Sequence, residues 1–240
     1  MFKGIFFDLG GTLVSYRHVN RVHAPILLEA AARAGKGDAP HAVKHAYAQA
    51  SREITEHYAT KDYYLHRDFF LDTFHRCFDL LDATVTDELR AWYQQEHLTQ
   101  LRDCLEVKPD CHPTLEALKN RRLYLSIVSN IDDDMLEPIV ARERLHRYLD
   151  HWTSSESARS CKPHPRFFEV CLEKSGLAPH EVLFVGDSPE HDIDGAAHVG
   201  MQTALVLNDG AEPPLQSGRA RATPDYVIHS LSGLLDLVPA

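Results

Sequence analysis

Hydrophobic residues recur with two different spacings along this 240-residue chain. Near the N-terminus, the apolar run IFF predicts a short strand that ends at Asp8 and the glycine pair behind it. Between residues 16 and 105 the apolar positions recur at helical spacing, as in Val22 and Ile26. Four such stripes are present, and Thr86 is placed to cap the last of them. This segment is therefore predicted to be all-helical.

After Pro109 the pattern changes to strands that alternate with helices. Strands are predicted at residues 123–129, 151–154, 182–186, 203–207 and 226–228, with helices between them, one of which is expected at residues 133–146. Such alternation is typical of a parallel sheet covered on both faces. We predict an α/β fold in which residues 1–15 and 106–240 form a Rossmann-like, mostly parallel sheet and residues 16–105 are a helical insertion. Pro213 to Gly218 is predicted to be a turn-rich loop.

Composition narrows the class of partner. The formal net charge is −10, which disfavours nonspecific nucleic-acid binding and adhesion to anionic membranes. No apolar run reaches the ~20 residues that a membrane-spanning helix needs. The N-terminal strand lacks the features of a signal peptide, and the five cysteines contain no CxxC pair. We expect a cytoplasmic protein with reduced thiols that binds neither nucleic acid nor membrane; its oligomeric state stays open.

Polar side chains follow the predicted strands, and ligands bind where parallel strands end. In chain order these side chains are Asp8, Ser129, Asn130, Lys162, Asp187 and Asp192. Three carboxylates at one edge repel one another unless a cation lies among them, and hard oxygen ligands favour Mg²⁺. Lys162 and the Ser129 hydroxyl would then hold a phosphoryl group. Asp8 is left as a nucleophile that can form an aspartyl phosphate.

The segments around these residues resemble a known family. FFDLGGTL, LSIVSN, CKPHP and FVGDSPEHDIDGA are similar, in this order, to the four motifs of haloacid dehalogenase superfamily hydrolases. The resemblance covers nearly the whole chain and implies that the helical insertion is that family's cap domain. It implies Asp8, Ser129 and Lys162 as catalytic residues. Ser129 and Lys162 would also bind phosphate, and Thr12 and Asn130 are predicted to bind substrate with them.

The resemblance also implies a metal site and a substrate class. Mg²⁺ would be bound by Asp8, the Gly10 carbonyl and Asp187. Asp192 would bind the metal directly or through water, or would orient Lys162. The expected reaction is hydrolysis of a small phosphorylated substrate through a phosphorylated Asp8.

Gly10 departs from the family pattern. Phosphatases of this family carry there a second Asp, which protonates the leaving group and later activates water. A glycine keeps the carbonyl for the metal but not the general acid–base, which is typically worth about 10²–10⁴-fold in rate. Activity is therefore expected to be slowed or altered, with preference for aryl or acyl phosphates. Arg17, His18, Arg21 and His23 follow the first motif. We predict that one of them, with His18 as the first choice, supplements the missing group or contacts the leaving group.

Three alternatives stay open. A 2-haloacid dehalogenase is compatible with Gly10 because halide leaves without a proton. The acidic pair Asp187 and Asp192 speaks against it, because the pair suggests a metal site and that reaction needs no metal. A phosphonatase-like hydrolase would need a Schiff-base lysine from the cap. Lys36, Lys44 and Lys61 are the candidates. The third alternative is a catalytically weak protein of the same fold that binds a phosphorylated ligand or a protein partner.

Overall fold

The computed structural model describes residues 2–207 and 220–238. The loop predicted at 213–218 lies outside them. The chain divides into two compact units, one formed by Met1–Tyr16 and Glu106–Ala240 and the other by Arg17–Leu105. We call them the α/β unit and the helical unit. Tyr16, which the sequence places at the start of the insertion, belongs to the α/β unit.

The described residues contain eight strands. In chain order they are β1 (Gly4–Phe7), β2 (Val14–Ser15), β3 (Glu106–Val107), β4 (Tyr124–Ser129), β5 (His151–Ser154), β6 (Val182–Gly186), β7 (Gln202–Val206) and β8 (Tyr226–Ile228). Six of them form one parallel sheet in the order β5-β4-β1-β6-β7-β8. β2 and β3 pair antiparallel as a separate two-stranded ribbon. The predicted α/β fold class is confirmed.

Ten α-helices accompany these strands in the described residues. The helical unit contains α1 (Val19–Arg33), α2 (Pro40–Tyr58), α3 (His66–Leu80) and α4 (Asp87–Cys104). The α/β unit contains α5 (Cys111–Asn120), α6 (Asp133–Arg142), α7 (Ser155–Ala158), α8 (Pro165–Ser175), α9 (Gly195–His198) and α10 (Leu234–Leu237). A π-helical turn, Pro189–Asp194, precedes α9.

The central strands of the sheet are buried on both faces, as in other parallel sheets. Every residue of β1 and of β6 is buried. On one face, Phe6 and Phe184 pack in a cluster with Phe167 and Phe168 of α8. Burial of apolar surface is worth about 25 cal/mol per Å², so this cluster stabilises the packing of α8 against the sheet.

The helical unit has a core of its own. Phe74 and Phe78 of α3 pack with Tyr93 of α4, and the rings of Phe74 and Tyr93 stack with centroids 3.9 Å apart. The Thr86 hydroxyl accepts a hydrogen bond from the backbone N–H of Leu89 at 3.1 Å, so the predicted cap of α4 is present.

Two local features differ from the sequence-based expectation. The helix expected at 133–146 ends at Arg142, because Arg144 adopts a left-handed backbone with φ of 53° and a short 3₁₀ turn follows. The β2–β3 ribbon was not expected, since two residues per strand give no periodic signal. Across the described residues, no helix combines the length and the apolar character required to cross a membrane.

Candidate active site

Strand order brings the predicted site residues together. β1 lies between β4 and β6, and Phe7 is in register with Ile127 on one side and Val185 on the other. Asp8 directly follows β1, Ser129 ends β4, and Asp187 directly follows β6. The three side chains therefore leave adjacent strands at the same carboxyl edge, which is where open α/β sheets bind ligands.

Lys162 is the centre of the hydrogen-bonding network at this edge. Its Nζ donates to Asp8 Oδ1 at 2.7 Å and to Asp192 Oδ1 at 2.6 Å. The Ser129 hydroxyl donates to the same Asp8 oxygen at 2.9 Å. Lys162 is only 3% exposed, so these ion pairs are shielded from water. Burial alone would lower the pKa of Lys162, but the carboxylates of Asp192 and Asp8 outweigh it and raise that pKa above its ordinary value.

Asn130 fixes the backbone from which Lys162 extends. Its Oδ1 accepts from the Lys162 backbone N–H at 2.7 Å, and its Nδ2 donates to the Lys162 carbonyl at 2.9 Å. These paired bonds join the end of β4 to the loop before α8. The amide of Asn130 thus positions Lys162, and its predicted contact with substrate stays a prediction.

Asp8, Asp187 and Asp192 form a compact acidic cluster. One oxygen from each carboxylate lies within 4.8 Å of the others, and all three residues are buried. Within the described residues no other group of acidic, histidine or cysteine side chains is arranged to hold a metal. Burial, followed by the charges of Asp8 and Asp192, raises the pKa of Asp187. Burial also raises the pKa of Asp192, although Lys162 opposes this shift.

Glycines allow the carboxylates to approach the backbone. A Cβ on Gly11, whose φ is +70°, would overlap the carboxylate of Asp187. A Cβ on Gly186 would overlap the carboxylate of Asp192. Asp192 is further held by the Ser188 backbone N–H, which donates to its Oδ2 at 2.9 Å. Because neither glycine tolerates a side chain, the close acidic packing is built into the backbone of the two loops.

Two residues near the acidic cluster were not predicted from the sequence to belong to the site. The ring of Tyr16 lies against Gly10 and Gly11. Burial, and then the charges of Asp8 and the other two carboxylates, raise the pKa of Tyr16 well above its usual value. Lys108 follows β3, and burial lowers its pKa although Asp187 and Asp110 act in the opposite direction. Neither residue belongs to a periodic pattern or a strand end of the main sheet.

The remaining predicted residues lie as follows. Thr12 is fully buried, and its hydroxyl has no hydrogen-bond partner within residues 2–207 and 220–238. Gly10 follows Leu9 in the loop after β1 and forms an isolated bridge with Val14. His18 belongs to the helical unit, where it is the residue before α1. The predicted roles of Thr12 and His18 in substrate binding stay predictions.

Comparison with known protein families decides the assignment. The family model described as haloacid dehalogenase-like hydrolase matches residues 2–200. This chain belongs to that family. The resemblance noted in its four motifs is confirmed, and the protein is a hydrolase.

Relatives of this hydrolase catalyse more than one reaction. It is 29% identical to (S)-2-haloacid dehalogenase 4A from Burkholderia cepacia, over 66% of this chain and 69% of the relative. It is also 29% identical to a phosphoglycolate phosphatase from Mannheimia succiniciproducens, over 65% of this chain and 69% of that protein. Alignments with curated relatives span from 47% to 77% of their lengths. Both phosphatases and dehalogenases are therefore relatives of this family member.

Solved structures support the fold. A HAD phosphatase from Thermococcus onnurineus superposes with a TM-score of 0.71 at 24% identity, covering 98% of this chain and 97% of that one. At this identity the likeness establishes the fold and leaves the reaction to be argued from the site.

Proposed function

We propose that this hydrolase is a Mg²⁺-dependent phosphatase that acts through a phosphorylated Asp8. The observation that carries the proposal is the buried acidic cluster of Asp8, Asp187 and Asp192, in which Lys162 pairs with Asp8 and Asp192. Counted as ionised groups, the three carboxylates exceed the two nearby ammonium groups, Lys162 and Lys108, by one negative charge in a low-dielectric site. Such an arrangement is unfavourable unless a cation joins it.

The residues present fit a divalent cation. Mg²⁺ prefers oxygen ligands and is usually bound by one or two carboxylates together with waters and phosphate oxygens. Asp8, Asp187 and the Gly10 carbonyl would hold the ion, with Asp192 as a further oxygen donor or as the partner of Lys162. Once bound, Mg²⁺ would neutralise negative charge on the phosphoryl group and on the acidic cluster.

The first step uses Asp8 as the nucleophile. A carboxylate oxygen of Asp8 attacks phosphorus, the ester P–O bond breaks, and the leaving group departs as Asp8 becomes an aspartyl phosphate. Lys162 and Ser129 already donate to Asp8 Oδ1, so their donors lie beside the reacting carboxylate and are placed to bind phosphoryl oxygens.

The second step is hydrolysis of the aspartyl phosphate. Water attacks phosphorus, the P–O bond to Asp8 breaks, and inorganic phosphate leaves while the carboxylate is restored. Because position 10 carries no carboxyl group, the protein lacks the family's usual general acid–base there. Substrates whose leaving groups need little protonation, such as aryl and acyl phosphates, should therefore be hydrolysed fastest.

The helical unit is proposed to act as the family's cap and to select the leaving group, with His18 as a candidate contact. The substrate is proposed to be a small phosphorylated molecule and the site of action the cytoplasm. These proposals rest on the phosphatase relatives and on the acidic composition.

The proposed function is tested with a panel of phosphate esters, with Mg²⁺ or with EDTA. Asp8→Asn should abolish turnover, while the control Asp236→Asn, which makes the same chemical change at an exposed position, should retain it. Trapping of phosphate on the wild-type protein, located by mass spectrometry, should identify Asp8. Retention of most activity by Asp8→Asn would refute the mechanism.

A second candidate is a 2-haloacid dehalogenase, favoured by the relative from Burkholderia cepacia and by Gly10. In that reaction Asp8 displaces halide, which leaves without a proton, and no metal is required. Halide release from a 2-haloacid in the presence of EDTA would support it over the phosphatase. Cleavage of a C–P bond in a phosphonate substrate, together with loss of this activity when the protein is treated with borohydride and substrate, would instead support the phosphonatase alternative. No turnover of any of these substrates would support a binding protein.

A further inference from the structure

The ring of Tyr16 occupies the space that a side chain at position 10 would need. A Cβ built on Gly10 would overlap the Tyr16 hydroxyl and would lie 2.7 Å from Cζ and 3.1 Å from Cε1. A Cβ on Gly11 would lie 3.0 Å from Cε2 of the same ring. Real side chains do not approach so closely, so a larger residue at position 10 would require the phenol of Tyr16 to move away from its present place.

The loop after β1 holds Tyr16 in this place. The chain turns back on itself, and the backbone N–H groups of Leu13 and Val14 both donate to the Leu9 carbonyl at 2.9 Å. β2 then pairs with β3, with Ser15 in register with Glu106. Tyr16 directly follows this paired residue, so its backbone is anchored where its ring returns over Gly10.

The Tyr16 hydroxyl is also a polar group in the place of the missing carboxyl group. It lies at the position of that side chain, beside the proposed nucleophile, and the charges of Asp8, Asp187 and Asp192 all act on it. A phenol O–H donates one hydrogen bond and accepts others. The Tyr16 hydroxyl is thus a hydrogen-bond donor in the space that a side chain at position 10 would occupy.

We propose that Tyr16 is a catalytic residue whose hydroxyl donates a hydrogen bond to the leaving-group oxygen of the phosphate ester, in place of the absent carboxyl group at position 10. This inference rests on the proposed phosphatase function. The phenol keeps its proton throughout, and the departing oxygen takes its proton from water. Tyr16 therefore stabilises the charge that develops as the P–O bond breaks.

The test compares Tyr16→Phe with the wild-type protein on substrates of graded leaving groups, with Mg²⁺ present. Suitable substrates are 4-nitrophenyl phosphate, phenyl phosphate and an alkyl phosphate. Loss of a hydrogen bond to a developing negative charge should lower kcat/KM roughly 10- to 100-fold for the alkyl ester. The 4-nitrophenyl ester, whose leaving group carries little localised charge, should change little. The control Tyr226→Phe removes a hydroxyl from β8 and should leave the whole series unchanged.

A second pair of variants tests the spatial exclusion. Gly10→Asp should lose stability and activity because its side chain overlaps the Tyr16 ring. The double variant Gly10→Asp/Tyr16→Ala should recover stability and hydrolyse the alkyl ester faster than Tyr16→Ala, since the carboxyl group then takes the place of the phenol. Full stability and activity of Gly10→Asp alone would show that Tyr16 does not fill this space.

The outcomes separate the two proposals. An equal loss across the substrate series, or no loss, in Tyr16→Phe would overturn the role of Tyr16 while leaving the phosphatase function intact. Absence of Mg²⁺-dependent turnover of every ester by the wild-type protein would instead overturn the proposed function and the role of Tyr16 with it.

Discussion

Replacement of Asp187 by Asn is expected to stabilise the metal-free protein while removing its response to Mg²⁺. Asp187 is 6% exposed and lies with Asp8 and Asp192 in the acidic cluster. Asn keeps the shape of the side chain but removes one negative charge. The substitution therefore reduces a repulsion that the folded protein bears when no cation is bound.

The magnitude follows from the geometry. Two unit charges at the cluster's 4.8 Å limit interact by about 3.5 kcal/mol at an effective dielectric constant of about 20. Asp187 has two such repulsions, which its attractions to Lys162 and Lys108 partly offset. Protonation of Asp187 relieves part of the remaining repulsion, so we expect Asp187→Asn to raise the free energy of unfolding of the metal-free protein by about 1–3 kcal/mol. For a chain of this size that is a rise in Tm of roughly 2–12 °C.

The pH dependence has a definite sign. The pKa of Asp187 is raised in the folded protein above its unfolded value near 3.8, so the folded state loses stability relative to the unfolded state as the pH rises above that value. The advantage of Asp187→Asn should be largest at neutral and alkaline pH. It should vanish near pH 3.8 and below, where Asp187 is protonated in both states.

The assay is urea or thermal unfolding in EDTA and in Mg²⁺, with Asp236→Asn as the control for an exposed aspartate. A ligand at 100 times its Kd stabilises the folded state by about 2.7 kcal/mol, so wild type should gain stability in Mg²⁺ while Asp187→Asn gains little. The reasoning is refuted if Asp187→Asn is less stable than wild type in EDTA at pH 7–8, or if Mg²⁺ stabilises both proteins equally.

Two further predictions concern stability. Burial lowers the pKa of His23 to about 4 and that of His97, with help from the nearby His23, to about 3. Because unfolded histidine titrates near 6.5, the free energy of unfolding should fall as the pH drops below 6.5 toward these values. The fall should be at most about 1.4 kcal/mol per pH unit for each histidine. His97→Phe should make the free energy of unfolding, measured by urea titration, less dependent on pH. In Gly195→Ala the new Cβ would lie 2.5 Å from Cε2 of Phe168 and 3.0 Å from Cα of Pro163. We therefore expect the free energy of unfolding to fall by about 1–3 kcal/mol. Activity should also be lower, because Pro163 directly follows Lys162. Gly233→Ala, whose Cβ would meet Ile228 at an ordinary 3.5 Å, is the control, and equal unfolding midpoints for the two variants would contradict the prediction.

Local pattern was sufficient to predict the secondary elements of the sheet. The continuous apolar run Val182–Gly186 is a buried central strand, and Thr86 caps α4 as expected. These features depend on neighbours in sequence, because side-chain period and capping chemistry act over a few residues. The carboxyl ends of parallel strands share one edge, so the convergence of Asp8 and Asp187 followed from the strand prediction.

Tertiary packing alone decided how the site is completed. The sequence by itself shows that Gly10 lacks a carboxyl group, but it does not show that the Tyr16 ring covers the vacant space, since that depends on the pairing of β2 with residues about ninety positions later. The use of the Asn130 amide to hold the Lys162 backbone is likewise a contact between distant loops. Such contacts leave no periodic trace, because they are set by the direction in which a folded backbone points each side chain.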